Sequence, residues 1–312
     1  MSKRYLITGA NGFIGEYLAE ELCKENNTVF ACAQFSTPIL ESLGSNIKLS
    51  YPDLTKEEEV SKAILDSEPD VIFHLAAQSF PRVSWEKPAY TMEVNLIGSI
   101  HILEAMRKLK KPPTIIMIGS SAEYAPHPNG SPIKEDGEVC PSSIYGVSKL
   151  AMEEVGRLYA FRYDLPVVRV RPFFIIGPRK VNDFCSDVAK EIVQVEKGEK
   201  ESIRIGNMQI VRDFVDVRDA VNAMILLSQK GVNGEVYNIC SGQGCVLGSV
   251  LETYKENAKV PIQEEVDPNL LRNYDELIKV GSPEKLFSLG WKIQHDIKDT
   301  LVDILNYWRN KL

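Results

Sequence analysis

No apolar run in the chain approaches the ~20 residues that cross a bilayer as a helix, so no segment reads as a membrane span. Basic residues are not in excess: 36 Lys and Arg stand against 43 Asp and Glu, for a net charge of -7. They also form no long run, which together excludes a nucleic-acid-binding surface. Histidine is scarce, with four dispersed residues, and the six cysteines (Cys23, Cys32, Cys140, Cys185, Cys240, Cys245) are scattered. Only Cys240 and Cys245 are near neighbours, and no histidine accompanies them, so the spacing of a metal site is missing and none is expected. The first strand begins by Tyr5, which leaves no room for a signal peptide and points to a cytoplasmic protein with free or buried thiols. No internal repeat, low-complexity tract or interdomain linker interrupts the 312 residues, a length that suits one large core or a domain plus a lobe.

What the chain does have is alternation. Short β-branched runs at 4–8, 29–33, 47–50, 71–75, 115–118 and 167–170 are separated by helical patterns. That order predicts a parallel sheet with right-handed crossovers. The pattern 89–109 carries Val94, Ile97, Ile100, Leu103 and Met106 as a buried helical stripe, and a second long helix runs 145–163. His74 lies in an apolar strand and reads as a hydrogen-bonded core residue. After Pro172 the alternation breaks down, and Asn129-Gly130-Ser131-Pro132 marks a loop suited to covering a substrate.

Two motifs carry chemistry. The strand 4–8 passes at once into Gly9-Ala10-Asn11-Gly12-Phe13-Ile14-Gly15, and Ile14, Leu18 and Leu22 then recur at helical spacing. Glycines between a strand and a helix allow a tight turn and close backbone approach to a pyrophosphate, which rests on the helix N-terminus. The second motif is Tyr145-Gly146-Val147-Ser148-Lys149, preceded by the strand end Ile118-Gly119-Ser120-Ser121. Residues four apart share a helix face, so the Lys149 ammonium is expected beside the Tyr145 phenol, pulling its pKa down from ~10. Tyr145 then serves as acid/base for a carbonyl–alcohol interconversion, with Ser120 bonded to the same oxygen.

Together these motifs resemble the short-chain dehydrogenase/reductase superfamily, in its extended branch acting on nucleotide-diphosphate sugars, over essentially the whole chain. The resemblance implies an α/β fold: a Rossmann doubly wound parallel sheet with a smaller C-terminal α/β substrate-binding lobe. The NAD(P)-binding domain is expected at 1–172 and 214–239, the sugar-nucleotide-binding lobe at 173–213 and 240–312. It implies a catalytic trio of Ser120, Tyr145 and Lys149, the lysine also holding the nicotinamide ribose. Cofactor contacts are implied at Gly9, Asn11, Gly12, Phe13, Ile14, Gly15 and Gln34, at Asp53 and Leu54 against the adenine, and at Leu75, Ala76 and Ala77 beneath the cofactor. Asn95 matches the helix asparagine of the superfamily, and the two long helices imply a homodimer. Gln34 stands where an acid would select NAD and an arginine NADP, so both cofactors stay open.

Family departures narrow the reaction. Dehydratases of the group carry Thr-(Asp/Ser)-Glu-x-Tyr-Gly, whose Glu assists elimination. Aligned on Tyr124, this chain has Ala122 there, and Glu123, one residue later on a strand-derived segment, would face the other way. Val211-Arg212-Asp213-Phe214-Val215-Asp216-Val217-Arg218-Asp219 resembles the diphosphate-holding segment of GDP-mannose dehydratases and GDP-4-keto-6-deoxy-mannose reductases. Leu271-Arg272-Asn273-Tyr274-Asp275 is similar to their Leu-Arg-Pro-x-Glu. The implied substrate contacts are Ser121, Phe174, Arg212, Arg272 and Asp275; Phe174 replaces the usual Asn, which leaves a modified hexose or a heptose open. The function so implied is NAD(P)H-dependent reduction of the C4 ketone of a GDP-4-keto-6-deoxy-hexose, of the GDP-rhamnose type. The alternatives are a nucleotide-sugar 4-epimerase or C4 dehydrogenase, with a GDP-mannose 4,6-dehydratase or a non-enzymatic NAD(P)-binding regulator behind them.

Overall fold

Among the described residues thirteen strands form in chain order: β1 (Arg4–Thr8), β2 (Thr28–Cys32), β3 (Ile47–Ser50), β4 (Val71–His74), β5 (Thr114–Ile118), β6 (Val167–Pro172), β7 (Phe174–Ile176), β8 (Ser202–Ile205), β9 (Val211–Asp216), β10 (Val236–Ile239), β11 (Gly244–Val246), β12 (Gln263–Val266) and β13 (Ile278–Lys279). These come from a computed structural model that describes residues 2–127, 130–271 and 276–312. Contacts divide the chain into two units, one of 1–125, 135–172 and 221–238, the other of 126–134, 173–220 and 239–312.

The first unit is built on a seven-stranded sheet in the order β10-β6-β5-β4-β1-β2-β3. The pairs along β3-β2-β1-β4-β5-β6 are all parallel. β1, β4, β5 and β6 are buried along almost their full length, which is why β4 and β5 read as apolar runs rather than alternating ones. From β1 the chain winds outward to β3 and then returns to place β4 on the other side of β1. That reversal is where doubly wound sheets open a crevice at their carboxyl ends. The glycine-rich turn leaves β1 there, the 75–78 segment leaves β4, and the turn carrying Ser120 leaves β5. Beneath them Leu6, Ile72, Ile102, Leu103, Ile115 and Met152 share one apolar cluster.

The long helix expected over 89–109 forms in three pieces: Pro88–Met92, a wide π-turn at Glu93–Ile97, and Gly98–Arg107. The wide turn buries Asn95 completely and rotates Ile97 out to 41% exposure, although the spacing had placed Ile97 in the buried stripe. Such wide turns gather at functional sites, and here one polar side chain gains what one apolar side chain gives up. The second long helix spans Ile144–Tyr163, with Ser143 Oγ capping it by accepting the Gly146 N–H at 3.0 Å.

In the second unit β9 is central, lying between β11 and β13 and pairing further along with β7. Asp213 is its buried polar anchor, accepting from Ser241 N–H and O–H, Gly242 N–H and Gly281 N–H. An apolar cluster that includes Val188, Ile192, Phe214, Leu251, Ile304 and Trp308 fills the unit. Because β9 belongs to this sheet, 214–220 group with the second unit, as do 126–134 through Ile133, which exchanges hydrogen bonds with Val280 and Ser282.

Candidate active site

The Tyr145 motif takes the helical form its spacing predicts. Gly146 lets the helix start press against the turn after β5: a Cβ there would lie 2.5 Å from Ala122 O and 2.8 Å from Pro141 Cβ. The turn is a short 3₁₀ helix, Ser121–Glu123, with Ser120 as its N-cap. Ser120 Oγ accepts the Ala122 N–H at 3.1 Å, and the Ser120 side chain acts on the Tyr145 phenol, lowering its pKa. Lys149, buried one helical turn on, donates its Nζ to Ile118 O at 2.7 Å. The three side chains of the expected trio thus gather at the end of β5.

Their electrostatics depart from the expectation. Burial pushes the half-buried Tyr145 phenol up to about 12, the bond from Ser120 pulling down and Glu123 pushing further up. Burial pulls Lys149 down to about 8, with Glu123 opposing. Lys149 was expected to lower the phenol's pKa; instead it is spent on the β5 carbonyl, and desolvation decides the phenol's state. At neutral pH Tyr145 is therefore a protonated phenol, suited to giving a proton to a ketone oxygen.

Glu123 also departs from its expected placement. The segment is a 3₁₀ turn rather than a strand, so strand alternation does not apply, and Glu123 turns into the interior with no exposed surface. Its Oε1 accepts the Ser120 N–H at 2.7 Å and its Oε2 accepts from Arg171 Nε at 3.1 Å.

A polar chain ties this turn region to the rest of the sheet, and its donors run in one direction. Ala76 N–H donates to Thr8 Oγ1, and Thr8 bonds His74 Nδ1 at 2.7 Å. His74 Nε2 bonds Ser99 Oγ at 2.8 Å, and Ser99 donates to Asn95 O at 2.6 Å. Since the Ser99 proton is committed to a carbonyl, His74 carries its hydrogen on Nε2 and accepts from Thr8 on Nδ1. Burial, with help from Lys149, lowers its pKa to about 3, so it stays neutral. The Asn95 side chain brackets Gln78 by accepting its N–H and donating to its O, and donates also to Ser148 Oγ at 2.9 Å; Ser148 donates to Tyr145 O. The family resemblance pointed to Asn95 but not to Ser99, Ser148 or Gln78.

The glycine-rich turn has the shape a dinucleotide phosphate needs. Gly9 has φ +71°, and a Cβ on it would meet Ala76 N at 2.7 Å; one on Gly15 would meet Gly9 O at 2.2 Å. Those two glycines pack the turn. Gly12 is exposed, with only Gly9 O near its absent Cβ, at 3.1 Å, and it caps the Phe13–Cys23 helix without a side-chain bond. A helix N-terminus of this kind favours an anion. Asn11 Oδ1 accepts the Gln34 N–H at 3.3 Å, bringing the turn to the end of β2. Phe13 and Ile14 are half-buried in the first turn of the helix, and Leu75, Ala76 and Ala77 are half-buried after β4. The Asp53 carboxylate accepts from Thr55 N–H and O–H, while Leu54 O bonds His101 Nδ1 at 2.8 Å.

Of the expected substrate contacts, Ser121 is buried in the turn beside Ser120. In the second unit the Arg212 guanidinium lies 5.1 Å over the Phe174 ring. Lys279, unanticipated from sequence, pairs in register with Arg212, is 4% exposed and bonds Glu276 Oε2 at 2.9 Å. Arg272 and Asp275 lie outside the described residues. Among the described residues no cluster of ligating side chains could hold a metal ion, and no helix is long and apolar enough to cross a membrane.

Comparison with known proteins agrees with this geometry. The chain is 29% identical to a GDP-6-deoxy-D-mannose reductase from Pseudomonas aeruginosa, covering 100% of this chain and 99% of that protein. It superposes on the structure of RMD from Pseudomonas aeruginosa complexed with NADPH with a TM-score of 0.87, 28% identity and full coverage of both chains. It also superposes on a Thermus thermophilus UDP-glucose 4-epimerase complexed with NAD, with a TM-score of 0.87 and 29% identity over 99% of this chain and 100% of that one. The family model for GDP-mannose 4,6 dehydratase matches residues 6–304, and the chain belongs to that family, with the extended short-chain dehydrogenase/reductase fold that its residues led us to expect.

Proposed function

We propose that this protein is a nicotinamide-dependent sugar-nucleotide reductase, delivering a proton from Tyr145 to the C4 ketone oxygen of a GDP-4-keto-6-deoxy-hexose. The observation that carries the reading is the Tyr145 phenol at the end of β5 beside Ser120 and Lys149, held protonated at neutral pH by burial, with alanine at position 122. Ketone reduction needs an acid at the oxygen and no second acid beside C6. The Glu123 carboxylate is already committed to Ser120 N–H and Arg171, which argues against its serving an elimination. Likeness to a GDP-6-deoxy-D-mannose reductase supports the same choice.

The cofactor supplies the hydride. Gly12 and the start of the Phe13–Cys23 helix would hold its diphosphate, Gln34 and Asn11 border its ribose end, and Lys149 would hold the nicotinamide ribose. With a neutral Gln34, both NADH and NADPH fit. Ser120 orients the ketone oxygen and Tyr145 protonates it, with Ser121, Phe174, Arg212, Arg272 and Asp275 assigned to the sugar nucleotide. A homodimer is also part of this reading: Val147, Leu158 and Phe161 lie on one outward face of the Ile144–Tyr163 helix, Phe161 at 86% exposure.

The test is to supply GDP-4-keto-6-deoxy-mannose with NADPH or NADH, and separately GDP-mannose with NADP. Cofactor oxidation in the first and no change in the second supports the reading; a product of GDP-mannose lighter by one water overturns it. Likeness to a UDP-glucose 4-epimerase favours one second reading, a 4-epimerase, which would purify with NAD retained and interconvert C4 epimers without net cofactor turnover.

A further inference from the structure

β6 alternates Val167-Val168-Arg169-Val170-Arg171, and both arginines are nearly buried. Two guanidiniums on one face of an apolar strand demand buried carboxylates, since uncompensated charge there is costly. Arg171 meets two: its Nε bonds Glu123 Oε2 at 3.1 Å and Glu153 Oε2 at 2.9 Å, and its Nη2 bonds Glu153 Oε1 at 2.6 Å. Arg169 Nη1 bonds Glu153 Oε1 at 3.0 Å. Glu123 and Glu153 are 0% and 1% exposed. The remaining Arg171 nitrogen donates to Glu135 O at 3.1 Å, and the Arg171 guanidinium lies 4.7 Å over the Tyr124 ring.

The two ends of this cluster are not equivalent. Glu153 sits one helical turn beyond Lys149 on the helix that carries Tyr145. Glu123 holds the Ser120 N–H, and so the residue whose hydroxyl acts on the phenol. A cluster needed only to neutralise the β6 arginines would not have to reach the main chain of Ser120. We propose that Glu123, clamped by Arg171, is a positioning residue for the reaction: it fixes the Ser120 main chain and with it the direction of the Ser120 hydroxyl towards Tyr145. This rests on the acid role given to Tyr145 above. Burial and Glu153 push the Glu123 carboxyl up while Arg171 pulls it down, and Glu123 in turn pushes the phenol's pKa upward, behind burial.

Two variants separate positioning from folding. In Glu123→Gln the amide oxygen still accepts the Ser120 N–H, but the NH₂ faces the Arg171 donor and the charge is gone. In Arg171→Lys the charge stays, but the planar fork that bridges Glu123 to Glu153 is lost. We expect kcat to fall about 10-fold or more in each, within the range of general-acid contributions, with KM for the sugar nucleotide and cofactor affinity within about 2-fold of wild type. The alkaline limb of kcat should move to lower pH in Glu123→Gln and stay in place in Arg171→Lys. Wild-type kcat in either folded variant, or an unmoved limb in Glu123→Gln, overturns the proposal. Loss of folding or of cofactor affinity in both variants also overturns it, because the cluster is then a folding element. Should wild type reduce no 4-keto sugar nucleotide, the reading of function fails separately. Carbon-13 tyrosine NMR, with Tyr145→Phe assigning the resonance, then tests the inference without substrate: the phenol must titrate at lower pH in Glu123→Gln.

Discussion

Lys149→Met should make this protein more stable while inactivating it. Lys149 is 3% exposed and burial lowers its pKa from 10.5 to about 8. Each pKa unit corresponds to about 1.4 kcal/mol, so a drop of roughly 2.5 units makes the buried ammonium cost about 3 kcal/mol. The sign follows from linkage: the unfolded chain binds the lysine proton more tightly, so the cost is complete below about pH 8 and fades as pH rises towards 10.5. Methionine has similar length and no charge, but it gives up the bond to Ile118 O, and an unpaired carbonyl costs about 1–2 kcal/mol. The net expectation is a gain of about 1–2 kcal/mol at pH 7. By about pH 10 the desolvation cost has largely gone and the lost hydrogen bond remains, so the variant should fall to wild-type stability or below. Urea unfolding of both cofactor-free proteins at the two pH values measures this directly. A variant less stable than wild type at pH 7, or a difference that does not change with pH, refutes the reasoning. Lys149 would then be held by interactions stronger than its desolvation.

Tyr145→Phe should cut turnover by about 10²–10⁴-fold while leaving cofactor affinity near wild type, because only the proton is lost; near-normal turnover in the purified variant removes the central claim. Arg212→Ala should raise KM with little change in kcat, losing charge-assisted bonds of about 1.5–3 kcal/mol, and calorimetry of GDP against UDP and CDP tests the base, tighter UDP binding moving the assignment to a UDP-sugar enzyme. His74, lowered to about 3 by burial, must gain its proton in the unfolded chain near pH 6.5, so stability should fall as pH drops from about 6.5 towards 3, by up to about 5 kcal/mol. A His74→Gln variant should show a shallower acid slope; an identical slope places the acid lability elsewhere.

Much of this architecture was legible because buried parallel strands and glycine turns leave strong local marks. β1 and β3 fall at the positions their apolar runs predicted, and β2, β4 and β5 lie within a residue of theirs. The Ser120–Tyr145–Lys149 grouping was legible for a similar reason, since a helix spacing of four and a strand end fix it locally. The π-turn at Glu93–Ile97 was not. A stripe of Val94, Ile97 and Ile100 argues for a regular helix, and only the hydrogen-bond demands of Asn95, met by Gln78 and Ser148 from other segments, explain why one turn widens. The pKa of the phenol was misjudged on the same grounds. Spacing placed Lys149 near Tyr145 but could not reveal that the ammonium's partner is the Ile118 carbonyl.

Arg169 and Arg171 had a signal that local reading passed over. Two arginines at a spacing of two in an otherwise valine strand share a face, and a strand flanked by apolar crossovers offers that face no water. Such a pair obliges the chain to supply carboxylates from elsewhere, and the natural sources are elements packed on the same face. Glu153 on the Tyr145 helix and Glu123 in the Ser120 turn meet that obligation. The consequence for chemistry is direct. The glutamate that balances Arg171 in the sheet is also the one bonded to the Ser120 N–H, and under the proposed reading that double commitment is what withholds it from an elimination. If that reading holds, Ala122→Glu with Glu123 left in place is the change from which a dehydration product of GDP-mannose is expected, and its absence in wild type is the control.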